Sequence, residues 1–358
     1  MALFILRRLL LAVPVLFGIM LVTFFLQRAI PGDPCRAVLG ERATDAVCDA
    51  YFERIGLNEP LPTQFLIYVG NILRGDFGDS LRYGRSISDL LAERLPTTIE
   101  LSIAAMMFAV LLGIPLGIIS AYYRNSAIDV GTMVGANIGV SMPVFWLGLM
   151  LAYIFSVVLK DTFLALPPSG RLPAGYEVIP FYVQWNIASD VSSASPLLIF
   201  LSRLHLLNAI LTLNVDLFVT AARYLILPAA AVGTIPLAIV ARMTRSSVLE
   251  TLSQDYVRTA RSKGLNEVFV VLHHAVRNAL LPVVTIIGLN FSILISGAVL
   301  TETIFGLTGV GRTLLDGITT RDYNLVQGFT IIIASAFVMI NLIVDILYGY
   351  LDPRIRLS

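Results

Sequence analysis

The sequence predicts an all-α integral membrane fold with six transmembrane helices and both termini in the cytoplasm. Three observations predict it. Apolar residues are 57% of the 358-residue chain and charged residues only 14%, whereas soluble domains average about 45–50% and about 25%. Six segments are apolar over most of the roughly 20 residues that a bilayer core demands. Basic residues cluster in the connections that six crossings leave on one side. So few charges cannot wet a soluble surface, which excludes a soluble enzyme, a disordered chain and a small disulfide scaffold. Basic and acidic residues number 25 and 24, so there is no electrostatic footprint for nucleic acid.

The first span is residues 9–26, preceded by Arg7 and Arg8. It has the basic start and apolar run of a signal peptide. However, Gln27-Arg28-Ala29-Ile30-Pro31-Gly32 offers no small-x-small cleavage site, so residues 1–30 read as an uncleaved anchor helix. An external loop, 31–96, follows. Cys35 and Cys48 both fall in it; an oxidising exterior allows a disulfide between them, with two free thiols as the alternative. No further ligands stand near to make a metal site of them.

Residues 97–358 make up the membrane core. Its spans are 99–122, then 130–159, long enough to tilt and kinked at Pro143. Gly113 with Gly117, and Gly135 with Gly139, are four apart and let another helix approach closely. An external insertion at about 161–220 comes next. Its first part, 161–195, is rich in Pro, Gly and Ser and reads as irregular. Its second part, 196–219, carries Arg203, His205, Asn208, Asn214 and Asp216. A charge at mid-bilayer costs about 2.5–3.5 kcal/mol on insertion scales, so this stretch is expected as an amphipathic helix on the outer surface. The remaining spans are 224–240, 279–300 and 326–350. Arg7, Arg8, the basic 242–278 connection, Arg354 and Arg356 all fall on the cytoplasmic side. The external loop is also Arg-rich, but loops beyond about 60 residues carry little weight in that rule.

Signatures of enzymatic chemistry are absent. There is no Gly-x-x-x-x-Gly-Lys-Ser/Thr, no His-Glu-x-x-His and no Gly-x-Ser-x-Gly. The glycine-rich run Gly306 to Gly311 follows a membrane helix rather than a strand and reads as a turn. His273 and His274 are adjacent and make a poor ligand pair. No catalytic residue and no metal site are predicted. Asn290, Ser296 and Asn341 are the polar candidates for a substrate path within the spans. Asn341 and Asp345 share a helix face, which favours interhelical packing over an ion relay.

The most informative stretch is Asp255-Tyr256-Val257-Arg258-Thr259-Ala260-Arg261-Ser262-Lys263-Gly264-Leu265. A short helix over 255–263 is predicted, with Gly264 at its C-terminal cap and Arg261 and Lys263 placed well for the helix dipole. A second helix follows from Asn266 into the membrane. Such a rigid helix–Gly–helix elbow suits docking into a groove on a partner; the alternative is an ordinary basic cytoplasmic loop.

These residues resemble the coupling motif of ABC importer permeases, Glu-Ala-Ala, three residues, Gly. Arg258, Thr259 and Ala260 fall on the triplet and Gly264 on the glycine. The peptide branch reads much like Tyr-x-Arg-Thr-Ala-Arg-x-Lys-Gly-Leu, then His-Ala-x-Arg-Asn-Ala-x-Leu-Pro. This chain is similar at Tyr256 to Leu265 and again at His274 to Pro282. Further blocks resemble the dipeptide and oligopeptide permeases in the same order. They are Ile30-Pro31-Gly32-Asp33-Pro34, Ser141-Met142-Pro143-Val144-Phe145-Trp146, Arg242-Met243-Thr244-Arg245-Ser246, Leu300-Thr301-Glu302-Thr303-Ile304-Phe305, Gly309-Val310-Gly311-Arg312 and Asp352-Pro353-Arg354-Ile355. The B-type subunit of the dipeptide permeases is the nearest resemblance.

The resemblance implies a type I importer permease fold in a bacterial cytoplasmic (inner) membrane. It implies a heterodimer with a second permease subunit, two ATP-binding subunits that hold ATP and Mg, and an external substrate-binding protein. This chain would then hold no cofactor and hydrolyse nothing. Arg258, Thr259, Ala260, Gly264, Leu265, His274 and Arg277 would form the contact region for the ATPases. The implied cargo is a dipeptide or short peptide, with glutathione, nickel or an opine-like solute as family alternatives. A stand-alone secondary transporter is the reading outside the family; it would favour buried charges and inverted repeats.

Overall fold

The computed structural model describes residues 2–29, 35–36, 40, 42–54, 56–80 and 82–351. The blocks at Ile30 to Pro34 and Asp352 to Ile355, with Arg354 and Arg356, lie outside the described residues.

Helix α1 spans Ala2–Ala29. Two smaller helices follow, α2 at Asp45–Arg54 and α3 at Leu61–Leu73. Strands β1 (Asp79–Ser80) and β2 (Arg85–Ser86) then pair antiparallel, Asp79 opposite Ser86. Ser86 caps α4, Ile87–Tyr122, by accepting from the Ser88 N–H. This helix starts earlier than the predicted span because Asp89, Glu93 and Arg94 lie on its first turns. An apolar window marks only the part that can cross a bilayer.

The predicted span 130–159 is corrected to a broken pair. Helix α5, Ala127–Ser141, and helix α6, Val144–Tyr153, continued by a π-turn at Ile154–Val158, meet at 102°. Pro143 forces Met142 out of the helical region, to φ −105° and ψ 139°, so one helix ends and another starts.

The single amphipathic helix expected over 196–219 is also corrected. After a short helix α7 at Phe181–Gln184 come α8, Pro196–Ser202, and α9, His205–Leu211. At about 1.5 Å per residue, neither is long enough to cross a bilayer. Leu213 takes a positive φ of 53° and Asn214 caps the next helix through Leu217 N–H. That next helix, α10, runs over Val215–Leu252 and contains the predicted 224–240 span in its middle. The short helix α11 is Asp255–Ser262. Helix α12, Glu267–Phe269, passes through a π-turn at Val270–Val276 into α13, Arg277–Ile295. The fifth span therefore ends at Ile295, not at 300, because Gly297 turns the chain with φ 101°. Helices α14 (Val299–Ile304), α15 (Val310–Thr319) and α16 (Tyr323–Leu351) complete the described chain. Five described helices are long and apolar enough to cross a membrane, or six crossings if the bent pair counts as one.

Helices α4 and α10 form the centre. Glycine makes this contact possible: a Cβ on Gly113 would stand 3.0 Å from the Leu237 carbonyl and one on Gly117 2.6 Å from that of Ala241. Gly139 likewise abuts Thr234, whereas Gly135 faces open space. Leu101, Ala105, Leu227, Ala231, Phe305 and Leu307 make the main apolar core. Buried Glu302 sits beside it, accepting from Thr98 Oγ1 at 2.7 Å and from Arg312 N–H at 2.8 Å. One carboxylate thus holds together two blocks that the sequence reading treated separately. Buried Glu100 pins the external insertion to α4 through Arg171 and the Leu206 N–H. The outer faces of the helices expose Leu10, Val13, Leu111, Val130 and Ile293, large apolar side chains on the surface of this chain.

Candidate functional site

The elbow is built as the sequence predicts. Helix α11 ends at Ser262, Lys263 is its cap, and Gly264 takes φ +75° while its N–H donates to Arg261 O at 2.9 Å. This left-handed position is one that glycine occupies without penalty. Asn266 then caps the following helix by accepting from Val268 N–H at 2.9 Å.

Three contacts make the elbow rigid. Val257 and Ala260 are buried against Val270 and Leu252. Arg261 donates to both carboxylate oxygens of Glu267, its Nη2 at 2.7 Å. Asn278 donates to Tyr256 Oη at 2.9 Å, joining α11 to the start of α13. Among the predicted contact residues, Arg258, Thr259, Gly264, Leu265 and Arg277 are exposed and His274 is half-buried. Ala260 points inward, so its part is packing.

The π-turn is a feature the sequence reading missed. Phe269 stacks on His273 with centroids 4.9 Å apart, and meets His274 edge-on at 5.8 Å. The two adjacent histidines thus share one aromatic neighbour. His274 Nε2 is buried without a hydrogen-bond partner. π-turns recur at functional sites, but no hydrophobic periodicity marks one.

Away from the elbow, a cavity of about 340 Å³ lies where the start of α6, the middle of α10, the end of α13 and the start of α14 meet. Val144, Val232, Pro236, Asn290, Ile293 and Gly297 are among its lining. Of the three substrate-path candidates, only Asn290 reaches it; its Nδ2 donates to Ile286 O at 2.8 Å. Ser296 Oγ bonds back to Ser292 O at 3.2 Å. Asn341 accepts from Ser292 Oγ at 3.3 Å, while Asp345 pairs with Arg8 at 3.1 Å. The last two share a face of α16 but pin two different helices. A second hollow, about 530 Å³, lies between α1, α3 and the start of α16, with Arg28, Gln64, Tyr68 and Tyr323 in its wall.

Cys35 and Cys48 are joined in a disulfide, their Cα atoms 5.5 Å apart. Among the described residues no group of three His, Cys, Asp or Glu side chains is placed to hold a metal ion. A contact the sequence reading missed is the pair Asp129–Arg245, at 2.8 Å. Its two residues lie 116 positions apart, and nothing local in the sequence links them.

Comparison with known proteins gives two family matches. Residues 113–357 match the model of the binding-protein-dependent transport system inner membrane component. Residues 1–102 match the model of the N-terminal part of the binding-protein-dependent transport system membrane component. The chain is 45% identical over 354 residues to the di/tripeptide transport system permease protein DppB of Pseudomonas aeruginosa, covering 99% of this chain and 98% of that one. It is 43% identical to the dipeptide transport system permease protein DppB of Alkalihalophilus pseudofirmus, covering 98% of each. It is 40% identical to the dipeptide transport system permease protein DppB of Escherichia coli K12, covering 99% of this chain and 98% of that one.

Proposed function

This chain belongs to the family of binding-protein-dependent transport system inner membrane components, and from that premise we propose that it is the transmembrane permease subunit of an ATP-driven importer of dipeptides or short peptides. It is a multi-pass membrane protein. We read six crossings, with the bent pair α5–α6 as one, and both termini in the cytoplasm of a bacterial inner membrane. The Arg8–Asp345 pair supports placing both termini on one side, since it brings the start of the first helix to the end of the last; the basic residues of the 242–278 connection are the reason for calling that side cytoplasmic.

A sister permease completes the path, two ATP-binding subunits supply hydrolysis with ATP and Mg, and an external binding protein delivers the peptide. Hydrolysis belongs to those partners. The relatives' names support the peptide cargo.

The observation that carries the reading is the elbow. Its exposed side presents Arg258, Thr259, Lys263 and Leu265, while its buried side is fused to α10 and α13. A push on such a unit passes into the membrane helices instead of being absorbed by a loop. Closure of the ATPase pair moves the elbow, and α10 carries the movement to the cavity wall. Gly264 and Leu265 set its turn; His274 and Arg277 flank its second arm.

The test is to purify the tagged chain gently from its native membrane. Recovery of a second permease and ATP-binding subunits, with ATPase activity raised by a peptide-loaded binding protein, is the expected result. A chain that purifies alone and moves solute under an ion gradient would contradict the reading.

A further inference from the structure

Asp129 lies on the first turn of α5, and its carboxylate is almost fully buried. Arg245, on α10, donates to it through Nε and Nη2, both at 2.8 Å. Ser120, near the end of α4, donates to the same carboxylate. So does the Asn125 N–H at 2.9 Å, from a residue held at φ 62°. One buried carboxylate therefore gathers the end of α4, the turn after it, the start of α5 and the last third of α10. Bidentate guanidinium–carboxylate geometry fixes orientation as well as distance.

The second end of α5 is held to the same helix. A Cβ on Gly139 would stand 2.4 Å from Thr234 Cβ, so α5 and α10 touch there without a side chain between them. Two attachment points ten residues apart, roughly 15 Å along a helix, prevent α5 from pivoting on α10. Beyond the second point comes the 102° break, and then Val144, which lines the cavity. Only two residues separate the end of α10 from α11. A continuous solid path thus runs from elbow to α10, to α5, to the break, to the cavity wall.

We propose that Asp129 and Arg245 are positioning residues for transport: they clamp α5 to α10 so that movement of the elbow displaces the broken span beside the cavity. The inference rests on the importer reading above.

The experiment uses the whole importer in liposomes, with a radiolabelled dipeptide and its loaded binding protein. It reads the ATP hydrolysed per dipeptide imported. Asp129→Asn keeps the shape and removes the charge; Arg245→Lys keeps the charge but cannot donate two parallel bonds. Each should raise that ratio at least fivefold at normal recovery of the complex. A merely structural role lowers the number of working complexes, so uptake and hydrolysis fall together and the ratio stays constant. A constant ratio for both variants overturns the proposal. If Asp129→Asn yields no complex, Arg245→Lys decides by the same ratio. A wild-type importer that hydrolyses ATP without importing dipeptide would instead overturn the importer reading, and is seen before any variant is made.

Discussion

Arg261 and Glu267 face each other across the Gly264 turn, the guanidinium donating to both carboxylate oxygens. Both side chains are nearly half exposed. An exposed pair of this kind is worth about 0–1 kcal/mol, so its part is to set the angle of the elbow rather than to hold the fold. Replacing Arg261 by Gln should leave thermal stability almost unchanged. Dipeptide uptake should fall severalfold at normal ATPase activity. Loss of folded complex in that variant would show that the pair is structural.

Val257 is fully buried beneath the elbow, against Val270. Val257→Ala removes two methyl groups from a closed cluster, a loss of roughly 1–2 kcal/mol. Amide exchange over residues 255–262 should accelerate about tenfold, while exchange in α4 stays as it was.

The glycines at the helix contacts divide into two groups. Gly117 lies 2.6 Å, by its absent Cβ, from the Ala241 carbonyl; Gly135 has nothing within 4 Å. Gly117→Leu should therefore separate α4 from α10 and cost about 1–3 kcal/mol or more. Gly135→Leu should cost less than about 0.5 kcal/mol. Thermal inactivation of the two variants in detergent measures the difference.

His205, at the start of α9, is pushed down to about 3 by burial, helped by the nearby Arg171 charge. Its ordinary value is 6.5. Between these values the unfolded segment takes up a proton that the folded one refuses, so the folded packing around His205 is favoured as pH rises and disfavoured as it falls. At pH 5 the loss is up to roughly 2 kcal/mol. Trp185 reports it, since its indole N–H donates to Leu211 O at 2.8 Å, at the end of the same helix. With Trp146 changed to Phe, emission from Trp185 should shift between pH 7 and pH 5, and the shift should vanish in His205→Gln.

What was legible in the sequence was local. The elbow follows from a short helix closed by Gly264 and a second helix starting at Asn266, all within about a dozen residues; the cap that Asn266 makes on Val268 N–H is seen only in the structure. Pro143 announces a bend, but not its size; the 102° break is set together with the Gly139–Thr234 contact, which joins residues far apart in the chain. Glu302 with Thr98, and Asp129 with Arg245, were unreadable for the same reason, being separated by 204 and 116 positions. The 196–219 stretch was read as one surface helix because its charged and polar residues make a crossing costly; the break after Ser202 coincides with contacts from distant residues, Arg171 donating to Arg203 O and Glu100 accepting from the Leu206 N–H. Asn341 was placed on a substrate path by its depth in a span, yet its partner Ser292 is on a neighbouring helix.

The most direct test of the coupling elbow is a single glycine. Gly264 holds φ +75° with open space around it, so a side chain there meets no clash and only backbone strain. A β-branched residue at such a position costs on the order of 1–3 kcal/mol, enough to reshape the elbow without unfolding a membrane bundle. The measurement is dipeptide uptake and ATP hydrolysis by the complete importer in liposomes, wild type against Gly264→Val. The account predicts normal assembly, persistent hydrolysis and uptake reduced at least tenfold. Uptake at the wild-type rate, with the variant fully assembled, would contradict it.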